Sequence, residues 1–437
     1  MPEAEWKSCP DIHRGKASYQ DPGLLYFLHI MSKEENSIQK EKRALPSARF
    51  WFWAIFLSAV FALVSWFPEY LRLVERQYRQ SGFVSGESIL AKSTEIPRKP
   101  LPPPLDKKAY DAKMQALAND PPEEIKYKII KVAEKGTDGQ PLMKDGKPVF
   151  REEKIADEPL PAAIRLWPPA APYPEGGAIL PFKRVVAFYG NLYSRDMGVL
   201  GKYPEDQMLS MLEEKVKEWE TADLSTPVVP ALHYIAVTAQ DLPGKDGNYI
   251  ARMPDSQIEK VLGMAKKING IVFLDLQVGK SDLPAELPRL KKYLRMPEVN
   301  LGIDPEFSMK DGASPGKKIG TFDAADINYA AEFLAEIVKK NQLVPKILVV
   351  HRFTENMVTN YRQIKPLPQV EIVMNMDGWG RKANKIATYK EFIASQPVQF
   401  TGFKLFFKED TQKPGSILIT PEEILKLRPI PIYIQYQ

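Results

Sequence analysis

Residues 182–437 are expected to form an α/β fold, a (β/α)8 TIM-type barrel, on three observations: eight apolar runs, helical patterns between them, and a length that suits eight units. The runs are RVVAFYGN (184–191), VVPALHYIAV (228–237), GIVFLDLQV (270–278), VNLGIDPEF (299–307), KILVVHRF (346–353), VEIVMNMDG (370–378), TGFKLFFK (401–408) and IPIYIQYQ (430–437). Each is nearly continuous in apolar character, as a strand buried on both faces requires. Between them stand helix-start signals: Pro204-Glu205-Asp206 before MLSMLEEKVKEW, Pro254-Asp255-Ser256 before QIEKVLGMAKKI, Asp323 before AADINYAAEFLAEIVKK, and Thr420-Pro421-Glu422-Glu423 before ILKL. Strand and helix are therefore expected to alternate throughout. A doubly wound sheet is the alternative, and it would seldom need eight β segments with so little chain left over. The chain would close on its eighth strand, with the proline-rich approach covering the place of a missing last helix.

Upstream, Phe50 to Phe67 reads FWFWAIFLSAVFALVSWF, eighteen residues without a charge, or about 27 Å of helix. Trp51 and Trp53 at one end and Trp66 at the other suit the two headgroup boundaries of a bilayer, so 50–67 is expected to be one transmembrane helix. Lys33, Lys40, Lys42, Arg43 and Arg49 accumulate before it, which places 1–49 in the cytoplasm and the barrel outside, a single-pass protein of the cell membrane. Arg72, Arg76 and Arg79 oppose that orientation. A cleaved signal peptide is the rival reading, and it exports the bulk of the chain equally. Met31 is an alternative start, which N-terminal sequencing would decide.

Residues 68–123 read as a proline-rich spacer, with Pro97, Pro100, Pro102, Pro103, Pro104, Pro121 and Pro122 favouring extended polyproline segments. In 124–155, KYKIIKV and KPVFREE flank the turn signals Gly136-Thr137-Asp138-Gly139 and Asp145-Gly146, which predicts a small β-hairpin module. A second proline cluster, Pro161, Pro168, Pro169, Pro172, Pro174 and Pro181, makes 156–181 the linker into the barrel.

Composition removes several classes. With 60 Lys+Arg against 55 Asp+Glu in 437 residues, the net charge of +5 without a long basic run argues against a nucleic-acid partner. Cys9 is the one cysteine, so neither an internal disulfide nor a Cys-based zinc or iron–sulfur site can form. Gly312-Ala313-Ser314-Pro315-Gly316-Lys317-Lys318 has one residue too few between its glycines for a phosphate loop. Four histidines, His13, His29, His233 and His351, are too few for a binuclear amidohydrolase centre.

The chemistry is expected at the C-terminal ends of the strands, where barrel active sites lie. Side chains two apart on a strand face one way, so Asp275 with Gln277, Asp304 with Glu306, and Asn375 with Asp377 are each expected to point into one cavity. Tyr189, Asn191, His351, Lys404 and Gln435 with Tyr433 add single groups, and Trp379 offers a flat face for a sugar ring. His233, mid-strand, reads as a satisfied core histidine. Several buried carboxylates in one mouth would each cost several kcal/mol if unpaired, which favours a functional pocket over a purely structural one. For glycosidic cleavage, Glu306 is the candidate general acid, raised by like charge at Asp304 and Asp275, and Asp275 or Asp377 is its partner. Substrate would be bound by Tyr189, Asn191, Gln277, Asp304, His351, Asn375, Trp379, Lys404 and Gln435. No cofactor is required, although Asp275, Asp304, Glu306 and Asp377 offer oxygen ligands for one Ca²⁺ or Mg²⁺.

Asp304-Pro305-Glu306 after the fourth run resembles the acid position of several barrel glycoside hydrolases, including muramidase-like enzymes that cut cell-wall glycan. That resemblance implies a Glu nucleophile on strand seven, where this chain has Lys404. The phrases FLDLQVG, LGIDPEFSM, ILVVHRFT, MNMDGWG, GFKLFFKED and PIYIQYQ, spread over 182–437, are similar to a family of exported or membrane-anchored bacterial barrel proteins without an assigned reaction. Two functions follow as expectations: a glycosidase-like hydrolase of cell-envelope polysaccharide, or a barrel that binds glycan or an envelope partner without turnover.

Overall fold

A computed structural model describes residues 102–119, 127–135, 137, 139–156 and 166–437. Eight parallel strands close on themselves: β1 (Arg184–Gly190), β2 (Val228–Ala239), β3 (Ile271–Leu276), β4 (Val299–Ile303), β5 (Lys346–Arg352), β6 (Val370–Met376), β7 (Phe400–Leu405) and β8 (Tyr433–Tyr436). Closure is made by β8 on β1, with Tyr433 opposite Val185 and Gln435 opposite Ala187. The fold is a TIM-type α/β barrel, and its strands occupy the eight apolar runs. Several runs overshoot their strands: Gln277, Asp304, Glu306 and Asp377 all lie just past a strand end.

Helices return between most strands. After β1 runs Glu205–Ala222, after β2 Asp255–Lys267, after β3 Leu283–Leu294 and after β4 Ala324–Asn341. The last of these is fixed at its start by a reciprocal cap, the Asp323 side chain taking a backbone N–H while Asp326 takes the N–H of Asp323. Ile327, Ala331, Leu334 and Val338 then recur on its buried face. The expected alternation fails after β5, where the described connection carries no α-helix, holding 3₁₀ turns at Glu355–Met357 and Tyr361–Gln363 and a two-residue strand, Val358–Thr359, paired with Phe322–Asp323. Pro366 and Pro368 in that connection remove backbone donors and forbid a regular helix before β6.

The segment expected to be an extended spacer contains a helix, α1, at Lys107–Ala118. No proline falls within it; Asp106 caps its start and Asn119, in left-handed conformation, ends it. Tyr110 and Met114 on its buried face pack with Leu180, Val185, Ala187, Ala231, Phe273, Val349, Val373 and Tyr433, so α1 and the end of the proline-rich linker plug the N-terminal end of the barrel. Each large apolar side chain buried this way contributes about 1.5–3 kcal/mol. The Asn119 amide also donates to the Leu427 carbonyl at 2.9 Å, and Ile430 N–H donates to Leu117 at 2.7 Å, tying α1 to the approach of β8.

The hairpin forms as the turn chemistry predicts, with Tyr127–Ala133 antiparallel to Phe150–Ala156 and a tip at Asp145-Gly146, both at positive φ. Among the described residues no helix is long and apolar enough to cross a membrane. The candidate span 50–67, the N-terminal segment 1–49 and the spacer through 101 lie outside the described residues.

Candidate functional site

With the N-terminal end of the lumen filled by apolar side chains and α1, polar groups on the inner face gather toward the other end. Tyr189 comes from β1, His233 from β2, Asp275 from β3, His351 from β5, Asn375 from β6, Lys404 from β7, and Tyr433 and Gln435 from β8. Strands β1, β3 and β5 are not neighbours, so contacts of Asp275 with Tyr189 and His351 must cross the lumen.

Asp275 is the hub. Its Oδ2 accepts from the Tyr189 hydroxyl at 2.9 Å, while Oδ1 faces His233 Nε2 at 3.3 Å and His351 Nε2 at 3.5 Å. The far nitrogens of both imidazoles are also held, His233 Nδ1 against the Tyr433 hydroxyl at 2.6 Å and His351 Nδ1 against Asp377 Oδ2 at 2.9 Å. Asp377 Oδ1 lies 2.9 Å from Lys404 Nζ, which sits 3.8 Å from the centre of the Tyr189 ring. Gln277 accepts the Ala239 N–H and donates to Asp304 Oδ2 at 3.3 Å. Asp304 turns its other oxygen onto the Glu306 N–H at 3.1 Å, which starts the 3₁₀ turn Pro305–Phe307. That turn, and not a shared strand, sets the relation between Asp304 and Glu306.

These groups have divergent proton affinities. Burial, with the charges of Asp304 and Asp377 added, pushes the Glu306 carboxyl up to about 8 against the pull of Lys404 and His351. Burial also raises Asp304 to about 7, Asp275 and Asp377 adding to it and His351 and Lys404 opposing. Burial works against ionised Asp377 too, but Lys404 and His351 outweigh it and hold that carboxyl below the ordinary range. Asp275, although fully buried, is held far lower still by His351 and His233. Burial pulls His233 down to about 4, so it is neutral at physiological pH. His351 resists the same burial because Asp275 and Asp377 flank it, and it rises to about 10. One mouth therefore holds a protonated carboxyl, Glu306, near an ionised one, Asp377.

Two packing features keep this arrangement. Gly302 lies opposite Asp275 in the β3–β4 register, and a Cβ added there would stand 2.3 Å from Asp275 Oδ1 and 2.4 Å from His233 Nε2. Gly302→Ala is accordingly expected to cost about 1–3 kcal/mol, the usual range for overpacking a core; a denaturation midpoint equal to wild type would contradict this. The loop after β6 is fixed from below by Lys385, which donates to the Gly378 carbonyl at 2.8 Å and pairs with Asp410 at 2.9 Å.

Of the residues singled out by sequence, the structure links Tyr189, Asp275, Gln277, Asp304, His351, Asn375, Asp377 and Lys404 in one network, with Glu306 coupled to it by charge. Asn191 stands apart, its amide donating to the Ile235 carbonyl at 2.9 Å and accepting the Tyr193 N–H at 2.8 Å, which folds the loop after β1. Gln435 is fully buried and donates to the Tyr433 hydroxyl at 2.9 Å, away from any open surface. Trp379 is 53% exposed on the loop after Asp377. His233, read from the sequence as a core histidine, and Tyr433, named only beside Gln435, both enter the network. The available signal was polar character within apolar strands, His233 lying mid-strand in β2 and Tyr433 opening β8. No protein-family model matches the chain, and no curated protein matches it.

Proposed function

We propose that the chain is a membrane-tethered, extracytoplasmic barrel that hydrolyses cell-envelope polysaccharide by carboxylate acid/base chemistry. The observation that carries this reading is the opposed protonation of Glu306, raised to about 8, and Asp377, held low by Lys404 and His351. Glu306 donates its proton to the glycosidic oxygen as the bond to the anomeric carbon breaks. With Lys404 on strand seven in place of a carboxylate, Asp377 takes a proton from the water that attacks that carbon. Asp275, with no exposed surface, acts in this reading by positioning His351 and Tyr189. Gln277, Asp304 and Lys404 orient hydroxyls, and Trp379 stacks on a sugar ring.

One observation favours the second reading, a barrel that binds glycan or an envelope partner without turnover: both charges of the Asp377–Lys404 pair are spent on each other at 2.9 Å. The two readings part on turnover of a panel of envelope and plant-type glycans by the full chain beside Glu306→Gln. Hydrolysis by wild type and its loss in the variant supports the first; retained binding with no hydrolysis in either supports the second. Equal hydrolysis by both would remove Glu306 from the reaction.

The membrane tether rests on the uncharged run 50–67 with its terminal tryptophans, and the resemblance to exported or anchored bacterial barrels points the same way. The full chain is expected to stay in the membrane pellet after an alkaline carbonate wash, and deletion of 50–67 is expected to release it. Release of the intact chain by the wash would refute the tether.

A further inference from the structure

We propose that His233 Nε2, Asp275 Oδ1 and His351 Nε2 form the protein part of a binding site for one divalent first-row transition-metal ion, of the zinc or iron type. Among the described residues these three donors lie within 4.8 Å of one another. All three residues are fully buried, none of the three atoms has a hydrogen-bond partner of acceptable geometry, and an ion bound here displaces the proton that His351 Nε2 carries in the metal-free chain while Nδ1 keeps its contact with Asp377.

The spacing separates a metal site from a plain His–Asp–His hydrogen-bonded chain. Charge-assisted N–H···O bonds run at about 2.7–2.9 Å, whereas the two imidazoles stand 3.3 and 3.5 Å from Asp275 Oδ1. Bonds of about 2.0–2.1 Å to a tetrahedral ion place neighbouring donors about 3.3–3.4 Å apart. The surroundings match as well, since metal-bound histidines have their second nitrogen held by an oxygen. Here Tyr433 holds His233 Nδ1, Asp377 holds His351 Nδ1, and Tyr189 holds the second oxygen of Asp275. Gly302 keeps a side chain out of the space beside Asp275 Oδ1 and His233 Nε2. Two nitrogens and one oxygen suit a borderline ion, not the Ca²⁺ or Mg²⁺ that an all-carboxylate set would take. Three protein donors also leave a position for water or a substrate oxygen.

The site stands whether or not Glu306 acts as an acid, and it is tested with the metal alone. Purified full chain, stripped with a chelator and dialysed against Zn²⁺ or Co²⁺, is expected to retain one equivalent per chain. The Co²⁺ form is expected to show the visible absorption of a low-symmetry site with nitrogen ligands. Tyr433→Phe removes the oxygen behind His233 without altering a ligand, so it is expected to fold and to bind roughly 10- to 100-fold more weakly. His351→Gln is expected to lose the stoichiometric ion. Less than half an equivalent in the wild type, or affinity unchanged in both variants, would overturn the site. Should His351→Gln fail to fold, the Tyr433→Phe titration and the Co²⁺ spectrum decide alone.

Discussion

Exchange of Glu306 for glutamine is expected to lower glycan turnover by roughly 10²- to 10⁴-fold, the usual contribution of a positioned general acid. Glutamine copies the shape of the protonated carboxyl and adds no charge to a half-buried position, so the fold is expected to survive and the loss to fall on kcat. The pH profile tests the same assignment independently. Glu306 must carry its proton to act, so wild-type activity is expected to hold at neutral pH and to fall as pH rises through about 8. Asp377 is held below the ordinary carboxylate range, so it stays ionised across that whole window and sets no limb within it. Whatever activity remains in Glu306→Gln is expected to lack the fall near 8; a limb of unchanged position would show that another group carries the proton. Stability follows with a definite sign. A carboxyl whose folded pKa rises from 4.5 to about 8 contributes stability that is complete below 4.5 and is lost as pH rises through 8. The melting temperature of wild type is expected to fall over that range more steeply than that of Glu306→Gln.

The barrel was legible because burial on both faces forces each strand into an apolar run, and eight such runs with capped helices between them leave few other folds. What the pattern did not carry was the exact end of each strand. A polar residue such as Gln277 or Asp377 extends a run on paper while backbone pairing has already stopped, and whether Asp304 and Glu306 share a strand or a turn depends on Pro305 and on the Asp304 cap. The plug α1 was hidden by its neighbourhood, since prolines on both sides drew a short alanine-rich helix into the spacer. His233 was hidden for a different reason. A histidine in the middle of an apolar strand reads as core until the closed barrel brings Asp275 and Tyr433 to its two nitrogens from other strands. Asn191 erred the other way, being polar at a strand end and yet spent on the backbone of β2 and of the loop after β1. Long-range pairing across a lumen has no local signature, and a site made of it becomes visible only with the closure.

Lys385→Met is expected to be the most destabilising single change near the mouth, by about 3–5 kcal/mol, because it leaves the buried partner charge without its cation. Lys385 and Asp410 expose only 1% and 3% of their side chains, so neither can turn to solvent. Asp410 meanwhile accepts the Gly380 N–H and the Phe406 N–H, both at 2.9 Å, which fixes it in place beneath the loop that carries Asp377 and Trp379. Removing the ammonium therefore strands an oriented carboxylate, and the Gly378 carbonyl loses its donor in the same step. Asp410→Asn is expected to cost less, since an amide oxygen still receives one of those N–H groups and an unpaired ammonium is the weaker burden at a site that retains the Gly378 carbonyl. The double variant Lys385→Met with Asp410→Leu tests whether charge or packing is responsible: apolar replacement of a whole buried pair is often neutral, so it is expected to recover much of the loss in a urea midpoint. Recovery of stability without recovery of glycan binding or turnover would locate the pair's contribution in the placement of Asp377. A midpoint for Lys385→Met within about 1 kcal/mol of wild type would mean that Asp410 sheds its charge instead of bearing it unpaired, and the loop would then owe its position to the two backbone donors alone.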